Sequence, residues 1–370
     1  MKLTRHALLS GLALALAIAS PYSWANQNPS FGCFWQTGSG QMILRMDLGT
    51  LYVPRDAPAG TPIGPIDKRY TQRAPGAAIV YCKTHENAMQ NLIFQALATA
   101  PVFPGTLPPV GGEDVTGKIL QTNIAGVGVR IRLGDPFVGG ARNSFTPTEG
   151  HSVVPYQAER TPTSMLSPIP ITGLISYLTL VKTGPIPAGA HSLDGSELFS
   201  GHVPTLDRIF NLGLTGTVVQ AQCSVNANPV SADPVRLGDW STTDFTGPGF
   251  TTPAVPFKIA LSNCETDPDS ADFAMAHIRL DGINGSQPVG PPGSGVFSLT
   301  SDSSAQGVGI QVLKADGSTP VELNTEVPLV PVASGNMTLD FNARFYQIEP
   351  SDAVRPGLAK GALSFTLTYK

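Results

Sequence analysis

Two segments of the sequence begin like known catalytic motifs but lack a required residue. HENAM (85–89) starts like the H-E-x-x-H zinc site of metalloproteases, yet Met89 stands where the second imidazole ligand is needed. GEDVTGKI (112–119) has the glycine and lysine spacing of a phosphate-binding loop, yet Ile119 replaces the hydroxyl residue that holds Mg²⁺. Neither segment therefore predicts zinc-dependent hydrolysis or nucleotide binding.

Three histidines could join serines and aspartates in a nucleophilic triad. They are His151, His191 and His202, and their spacing selects no combination. The sequence also contains no G-x-S-x-G nucleophile elbow. We therefore predict that the protein is not an enzyme and uses no cofactor. The alternative, a secreted hydrolase, would need a triad that the sequence does not identify.

The first 25 residues have the features of a secretory signal peptide. Lys2, Arg5 and His6 form a basic start, an apolar run follows at 7–19, and small residues precede a cleavage site after Ala25. The alternative is a retained membrane helix, but the run is short and no charged stop follows it. We predict export through the periplasm to the cell surface.

Four cysteines in an exported chain allow three disulfide pairings. The long gap between the second and the third favours one local bridge in each half, Cys33 to Cys82 and Cys223 to Cys264. A zinc site is disfavoured because the sequence has no CxxC motif and the histidines are distant from the cysteines. We predict two disulfides and no metal.

Composition and charge narrow the class of protein. The 370 residues include 39 glycines and 34 prolines, but aliphatic residues are plentiful, which indicates a turn-rich folded chain of about two domains. The net charge is −4, and the basic residues are scattered. A nucleic-acid partner is therefore not expected, because it would require a basic stripe.

Alternation of apolar and polar residues predicts antiparallel β-strands with one buried face. The alternating segments are 126–134, 257–264, 307–314, 337–345 and 361–370. The segment 87–97 is helix-like but could equally be an apolar strand. The last segment, GALSFTLTYK, is unusual because chain ends commonly fray.

The C-terminal half, from about residue 214 to 370, resembles pilins of the chaperone–usher pathway. Tyr369 is the penultimate residue and Gly357 is fourteenth from the end, as in the C-terminal pilin motif. The segments TGTVVQAQCSV (215–225) and PFKIALSNC (256–264) look like the two cysteine-bearing strands, and VRLG (235–238) with Phe245 looks like the stretch that follows the first.

The N-terminal half resembles, more loosely, the receptor-binding domains of two-domain fimbrial tip adhesins. The segments that carry this resemblance are 122–133 and 178–189, leading into 210–218. We expect an all-β protein of two immunoglobulin-like or jelly-roll sandwiches in tandem, with a receptor-binding domain at 26–211 and a pilin domain at 212–370.

The resemblance implies that the pilin domain is an incomplete sandwich that a donor strand completes. The implied partners are a periplasmic chaperone, an outer-membrane usher and the adjacent pilin subunit. Gly357, Leu363, Phe365, Leu367 and Tyr369 would contribute to the acceptor groove, as strand addition to an open edge requires. The terminal carboxylate of Lys370 would anchor basic residues of the chaperone.

The expected function is that of a tip adhesin for a host glycan or matrix protein; the alternative is a structural or adaptor pilus subunit without a ligand. The loop after Cys82 is the candidate ligand site, with Lys83, His85, Glu86 and Asn87 as hydrogen-bonding groups. Trp35 and Tyr156 are weaker candidates because aromatic residues are more often in the core.

The residues between the signal peptide and the first cysteine are poorly suited to donate a strand. They are NQNPSFG (26–32), in which Phe31 is the single large apolar residue, while Pro29 removes a backbone donor and Gly32 adds no packing. We expect the protein to accept a donor strand but not to give one, and so to sit once per fibre at the distal end.

Overall fold

The computed structural model describes residues 31–84, 90–141, 143–162, 168–269 and 274–370. The predicted signal peptide (1–25) and residues 26–30 lie outside this part. Within it the chain forms strands and three short 3₁₀ helices, and no helix there is long and apolar enough to cross a membrane. The predicted all-β class is confirmed.

The strands of the described residues are numbered in chain order. They are β1 Gly32–Thr37, β2 Met42–Pro54, β3 Pro62–Arg73, β4 Ile79–Lys83, β5 Leu92–Ala98, β6 Leu120–Gln121, β7 Val127–Leu133, β8 Thr146–Pro147, β9 Tyr156–Arg160, β10 Ile169–Ile171, β11 Gly173–Lys182, β12 Ala190–Val203, β13 Asp207–Val230, β14 Val255–Glu265, β15 Met275–Gly282, β16 Val296–Phe297, β17 Val308–Lys314, β18 Glu326–Pro331, β19 Gly335–Gln347 and β20 Leu363–Tyr369. The 3₁₀ helices are Pro75–Ala77, Thr242–Asp244 and Ser351–Ala353.

The strands predicted from alternation are present as β7, β14, β17, β19 and β20. The ambiguous segment 87–97 is a strand where it is described, because Leu92, Phe94 and Ala96 of β5 point into the core with a period of two. β5 also pairs with β9 on one side and β12 on the other, so tertiary pairing decides between helix and strand here.

The first core lies between the sheets of an N-terminal sandwich. One sheet has the order β8-β9-β5-β12-β13 with β2 parallel to β13, and the opposing sheet has the order β3-β11-β7-β6. A third small sheet, β1-β4-β10, carries the first disulfide. Aromatic rings fill the centre, where the ring centroids of Phe94 and Phe137 are 4.3 Å apart.

The second core lies in a C-terminal sandwich. One sheet has the order β16-β17-β19-β14-β13, and the other consists of β18-β15-β20. The core residues range from Ala221 to Tyr369. The two sandwiches therefore stand in tandem, as the sequence predicted.

A single uninterrupted strand, β13, joins the two sandwiches. Val218 belongs to the first core and Ala221 to the second, so the change of core takes place within three residues. The boundary predicted between residues 211 and 212 falls inside this strand and stays a prediction.

The parallel pairing of β2 with β13 defines two ends of the N-terminal sandwich. Pro54 pairs with Ala221 at the end next to the C-terminal sandwich, whereas Met42 pairs with Phe210 at the opposite end, called the distal end below. The backbone N–H of Cys33 donates to Thr205 Oγ1 at 2.9 Å, just before β13 begins. The first disulfide therefore lies at the distal end.

Both predicted disulfides are formed, Cys33–Cys82 in the first sandwich and Cys223–Cys264 in the second. Cys33 and Cys82 are register partners on β1 and β4, and the other bridge joins β13 to β14. Each bridge links neighbouring strands of one sheet, and neither crosses from one sandwich to the other.

Candidate functional site

The last strand, β20, lies at the edge of a sheet and pairs with β15 on one side. Lys370 and Met275 exchange both backbone hydrogen bonds, at 2.7 and 3.1 Å. Because hydrogen-bonding direction alternates along a strand, the even-numbered residues of β20 point their backbone groups at β15. The odd-numbered residues point theirs away from β15, toward the open edge.

At the open edge of β20, unpaired backbone groups belong to residues whose side chains are apolar. Among the described residues, the N–H and C=O of Leu363 and Phe365 and the N–H of Leu367 have no hydrogen-bond partner. The side chains of Leu363 and Phe365 pack partly exposed against the second core, while Leu367 is buried. An edge of this kind can accept another strand through its backbone and bind alternate side chains in pockets.

Tyr369 connects the open edge to the opposite sheet of the C-terminal sandwich. Its side chain is 1% exposed, and its hydroxyl donates to the carbonyl oxygen of Cys223 on β13 at 3.4 Å. Burial raises the pKa of this phenol, so it stays a neutral donor at physiological pH. The penultimate tyrosine therefore spans the sandwich between its first and last strands.

The side chain of Lys370 contacts β18, which lies on the far side of β15 in the same sheet. Its ammonium group lies 2.8 Å from Glu326 Oε1, and Thr368 donates to the same carboxylate at 3.0 Å. The hydrogen bond from Lys370 is the largest cause of the lowered pKa of Glu326. These contacts fix the end of β20, while an anchoring role for the terminal carboxylate remains a prediction.

Gly357 precedes β20 at a point where a side chain has no space. A Cβ atom at this position would lie 2.6 Å from the backbone nitrogen of Ala305 and from the carbonyl carbon of Ser304. Leu358, the next residue, accepts the backbone N–H of Ser304 at 2.9 Å. Gly357 thus permits the close crossing of two chain segments that leads into the last strand.

The predicted ligand loop is only partly described. Lys83 lies at the end of β4 beside the first disulfide, with its ammonium 5.0 Å from the ring centroid of Phe34. His85, Glu86 and Asn87 lie outside the described residues. The loop therefore starts at the distal end, and its role in ligand binding stays a prediction.

The two aromatic candidates belong to the packing of the first core. Tyr156 is 5% exposed, and its hydroxyl donates to the carbonyl oxygen of Phe137 at 3.0 Å. Trp35 is partly buried against the same core. Packing against the first core accounts for both positions, and a part for either residue in ligand binding stays a prediction.

A cleft of about 440 Å³ opens at the distal end, and no local pattern in the sequence indicates it. Its polar lining residues are Thr71, Gln72, Arg73, Asp135, Asn143 and Thr172. Arg73 ends β3 and is exposed, and it forms no ion pair within the described part of the chain. Pro170, which also lines the cleft, pairs with Tyr81, two residues before Lys83. This cleft, the distal cleft, therefore lies near the start of the predicted ligand loop.

A second cleft, of about 610 Å³, is lined by residues of the N-terminal sandwich and borders a network of ion pairs. Arg130 is 1% exposed and binds Asp67 and Glu113, each at 2.9 Å. Arg132, which lines the cleft, contacts the same two carboxylates. The alternation in VRIRL places both arginines on one face of β7, but their partners come from distant segments that sequence reasoning could not pair.

One of the three candidate histidines does contact a serine and an aspartate. His202 Nε2 lies 2.9 Å from Ser200 Oγ, and its Nδ1 lies 3.1 Å from Asp207 Oδ1. Ser200 is 2% exposed, whereas the Asp207 side chain is 91% exposed. A hydrolytic triad needs the reverse, with an accessible nucleophile and a sheltered carboxylate, so this contact does not support hydrolysis.

Comparison with known proteins gives the following similarities. The family model described as fimbrial protein matches residues 212–370. The fimbrial subunit type 1 of Salmonella typhimurium is 33% identical over 166 residues, which cover 42% of this chain and 80% of that protein. The fimbria adhesin protein of Klebsiella pneumoniae is 24% identical over 361 residues, covering 96% of this chain and 97% of the relative. The CupB6 tip adhesin of Pseudomonas aeruginosa aligns over 91% of this chain and 93% of its own, with 18% identity and a TM-score of 0.37.

Proposed function

The chain belongs to the fimbrial protein family, and on that premise we propose that it is a fimbrial tip adhesin exported to the cell surface. The N-terminal domain (26–211) binds a surface ligand. The C-terminal pilin domain (212–370) attaches it to the fibre by accepting a donor strand. The observation that carries this proposal is the open edge of β20, whose unpaired backbone groups lie above the apolar side chains of Leu363 and Phe365.

The partners follow from this mode of attachment. A periplasmic chaperone strand first covers the open edge of β20, the outer-membrane usher then receives the complex, and a segment of the adjacent pilin subunit replaces the chaperone. The protein carries no catalytic function in this scheme. The match to a fimbria adhesin over nearly the whole chain supports the adhesin role over that of a structural or adaptor subunit.

The distal cleft is the proposed ligand site, in addition to the loop that starts at Lys83. It lies at the end of the sandwich farthest from the fibre attachment, where a surface can approach it. Its amide, hydroxyl, carboxylate and guanidinium groups suit the hydroxyls of a glycan, and apolar Leu174 and Ile175 line the same cleft. A host glycan is therefore the favoured ligand, with a matrix protein as the other outcome.

Replacing Arg73 and Asp135 by alanine and asparagine should lower ligand binding at least tenfold without changing assembly. These two exposed side chains carry the opposite charges that line the cleft, and each hydrogen bond to a charged group contributes about 1.5–3 kcal/mol. Binding of the full-length protein to a glycan array and to immobilised collagen and fibronectin measures the effect. Arg69→Ala, on the same strand but outside the cleft, is the matched control. Unchanged binding by the double variant would show that the distal cleft is not the ligand site.

Immunogold labelling of purified fimbriae should detect this protein once per fibre, at the distal end. The expectation rests on NQNPSFG (26–32), which precedes the N-terminal sandwich and is poorly patterned for strand donation. An antibody against the shaft pilin serves as the control for labelling efficiency. Labelling along the shaft would instead favour the structural or adaptor subunit.

A further inference from the structure

Two residues of the N-terminal sandwich bind the free edge of the last strand. Arg55 and Asp56 follow β2 directly. The backbone N–H of Asp56 donates to the carbonyl oxygen of Tyr369 at 3.0 Å, and the N–H of Tyr369 donates to Asp56 Oδ2 at 2.8 Å. Arg55 Nη2 donates to the carbonyl oxygen of Leu367 at 2.9 Å. These are the odd-numbered backbone groups that point away from β15.

The position of Arg55 and Asp56 is fixed by contacts with three other strands. The N–H of Arg55 donates to the carbonyl oxygen of Ala221 on β13 at 3.1 Å, and its carbonyl oxygen accepts from Lys182 Nζ at 2.5 Å. The guanidinium carbon of Arg55 lies 4.8 Å from the centroid of the Tyr369 ring. The ends of β2 and β11 from the first sandwich therefore meet β20 and the shared strand β13 at Arg55 and Asp56.

The lysine at this point is an uncommon residue to bury. Lys182 is 4% exposed, and desolvation lowers the pKa of its ammonium group, while the nearby carboxylate of Asp56 opposes that effect. A buried ammonium is tolerated where it is paired and hydrogen-bonded. The hydrogen bond from buried Lys182 to the carbonyl oxygen of Arg55 therefore helps to hold Arg55 and Asp56 in position.

We propose that Arg55 and Asp56 form a cap that ends the acceptor edge of β20 and so sets the register of the donor strand. The proposal rests on the proposed function. The cap occupies the backbone groups of Tyr369 and the carbonyl of Leu367, and leaves those of Leu363 and Phe365 and the Leu367 N–H for the donor. A chaperone or pilin strand therefore pairs along Leu363 to Leu367, about 17 Å at ~3.3 Å per residue, and stops at Asp56.

The cap also gives the N-terminal sandwich a structural part in strand acceptance. A donor strand that slips by one residue would place its apolar side chains on the wrong face. The hydrogen bonds that the backbone N–H and the carboxylate of Asp56 form with Tyr369 prevent the donor strand from slipping toward Tyr369. Asp56 and Arg55 are thus positioning residues for the donor strand, although they belong to the ligand-binding half of the chain.

Hydrogen–deuterium exchange of the full-length protein in complex with its periplasmic chaperone tests the cap. Asp56→Ala should speed exchange of the Tyr369 amide about tenfold, the effect of losing one charge-assisted hydrogen bond, while the Phe365 amide stays protected by the chaperone strand. Asp56→Asn keeps an oxygen acceptor and should preserve protection. Asp340→Ala, on the opposite sheet, is the control for removal of an exposed carboxylate. Equal protection of Tyr369 in Asp56→Ala would overturn the proposal, because the chaperone strand would then cover that residue itself.

A second measurement needs no variant. The structure of the wild-type complex with a donor strand should retain the hydrogen bond between Asp56 Oδ2 and the Tyr369 N–H, with the last donor pair at Leu367. A donor strand paired directly with Tyr369 would refute the cap even if Asp56→Ala fails to fold. The proposed function and the cap are contradicted by different results. If the protein forms no complex with a chaperone, the proposed function is wrong. If the complex forms but Asp56 is displaced from Tyr369, only the cap is wrong.

Discussion

Phe365→Asp should abolish the stable complex with the periplasmic chaperone and leave the protein degraded in the periplasm. Phe365 lies on the apolar side of the open edge of β20 and packs against the second core. A carboxylate there would be desolvated by the incoming donor strand, which costs several kcal/mol unless the charge is paired. The measurement is co-purification of the variant with the chaperone from periplasmic extracts, with its accumulation followed by immunoblot.

Thr366→Asp is the matched control for that substitution. Thr366 is the next residue of β20, and its exposed side chain is on the other face of the sheet. The same charge placed there should leave the chaperone complex intact. If both variants accumulate as soluble monomers, β20 closes a self-sufficient sandwich and no groove is present. Deletion of residues 357–370, which removes the whole strand, should reproduce the effect of Phe365→Asp.

Replacing Cys33 and Cys82 together by serine should lower the free energy of unfolding of the N-terminal sandwich by about 4 kcal/mol. The bridge closes a loop with a sequence separation of 49, and its loss increases the entropy of the unfolded chain. Trp35 reports this unfolding because it is partly buried against the first core and lies two residues from Cys33. The measurement is Trp35 fluorescence during denaturation in a Trp240→Phe background.

The Cys223→Ser, Cys264→Ser pair is the control for the disulfide prediction. This bridge has a similar sequence separation of 41 but belongs to the second core. Its removal should leave the Trp35 transition in place and destabilise the C-terminal sandwich. Equal shifts of the Trp35 transition in both double variants would show that the sandwiches unfold as one unit through β13, contrary to the expectation.

Much of the fold could be predicted from the sequence, because a strand with one buried face alternates apolar and polar residues. Alternation identified β7, β14, β17, β19 and β20 without reference to any other part of the chain. Cysteine spacing predicted both disulfides, since each bridge joins two cysteines that lie in the same half of the chain. The segment 87–97 was ambiguous because short apolar runs fit a helix and a strand equally, and pairing of β5 with two neighbours decided it.

The sites were less predictable because they join residues that no local pattern relates. Lys83 was selected from its place after Cys82, whereas the distal cleft brings Arg73, Asp135 and Thr172 together from three separate segments. The ion pairs of Arg130 with Asp67 and Glu113 span 63 and 17 residues of sequence. Alternation can place a polar residue on one face of its own strand, but it does not identify the partner from a distant segment, so such contacts appear only when the strands are assembled.

The sequence by itself determined the local elements and the chemical character of the terminal strand. The alternation of Leu363, Phe365, Leu367 and Tyr369 specified an apolar face, since side-chain direction reverses at every residue of a strand. Only the tertiary structure decided that the opposite edge of that strand stays open and that Arg55 and Asp56 end it. Edge pairing depends on which distant backbone comes within hydrogen-bonding distance, and backbone groups are the same in every residue type, so the sequence does not encode it locally.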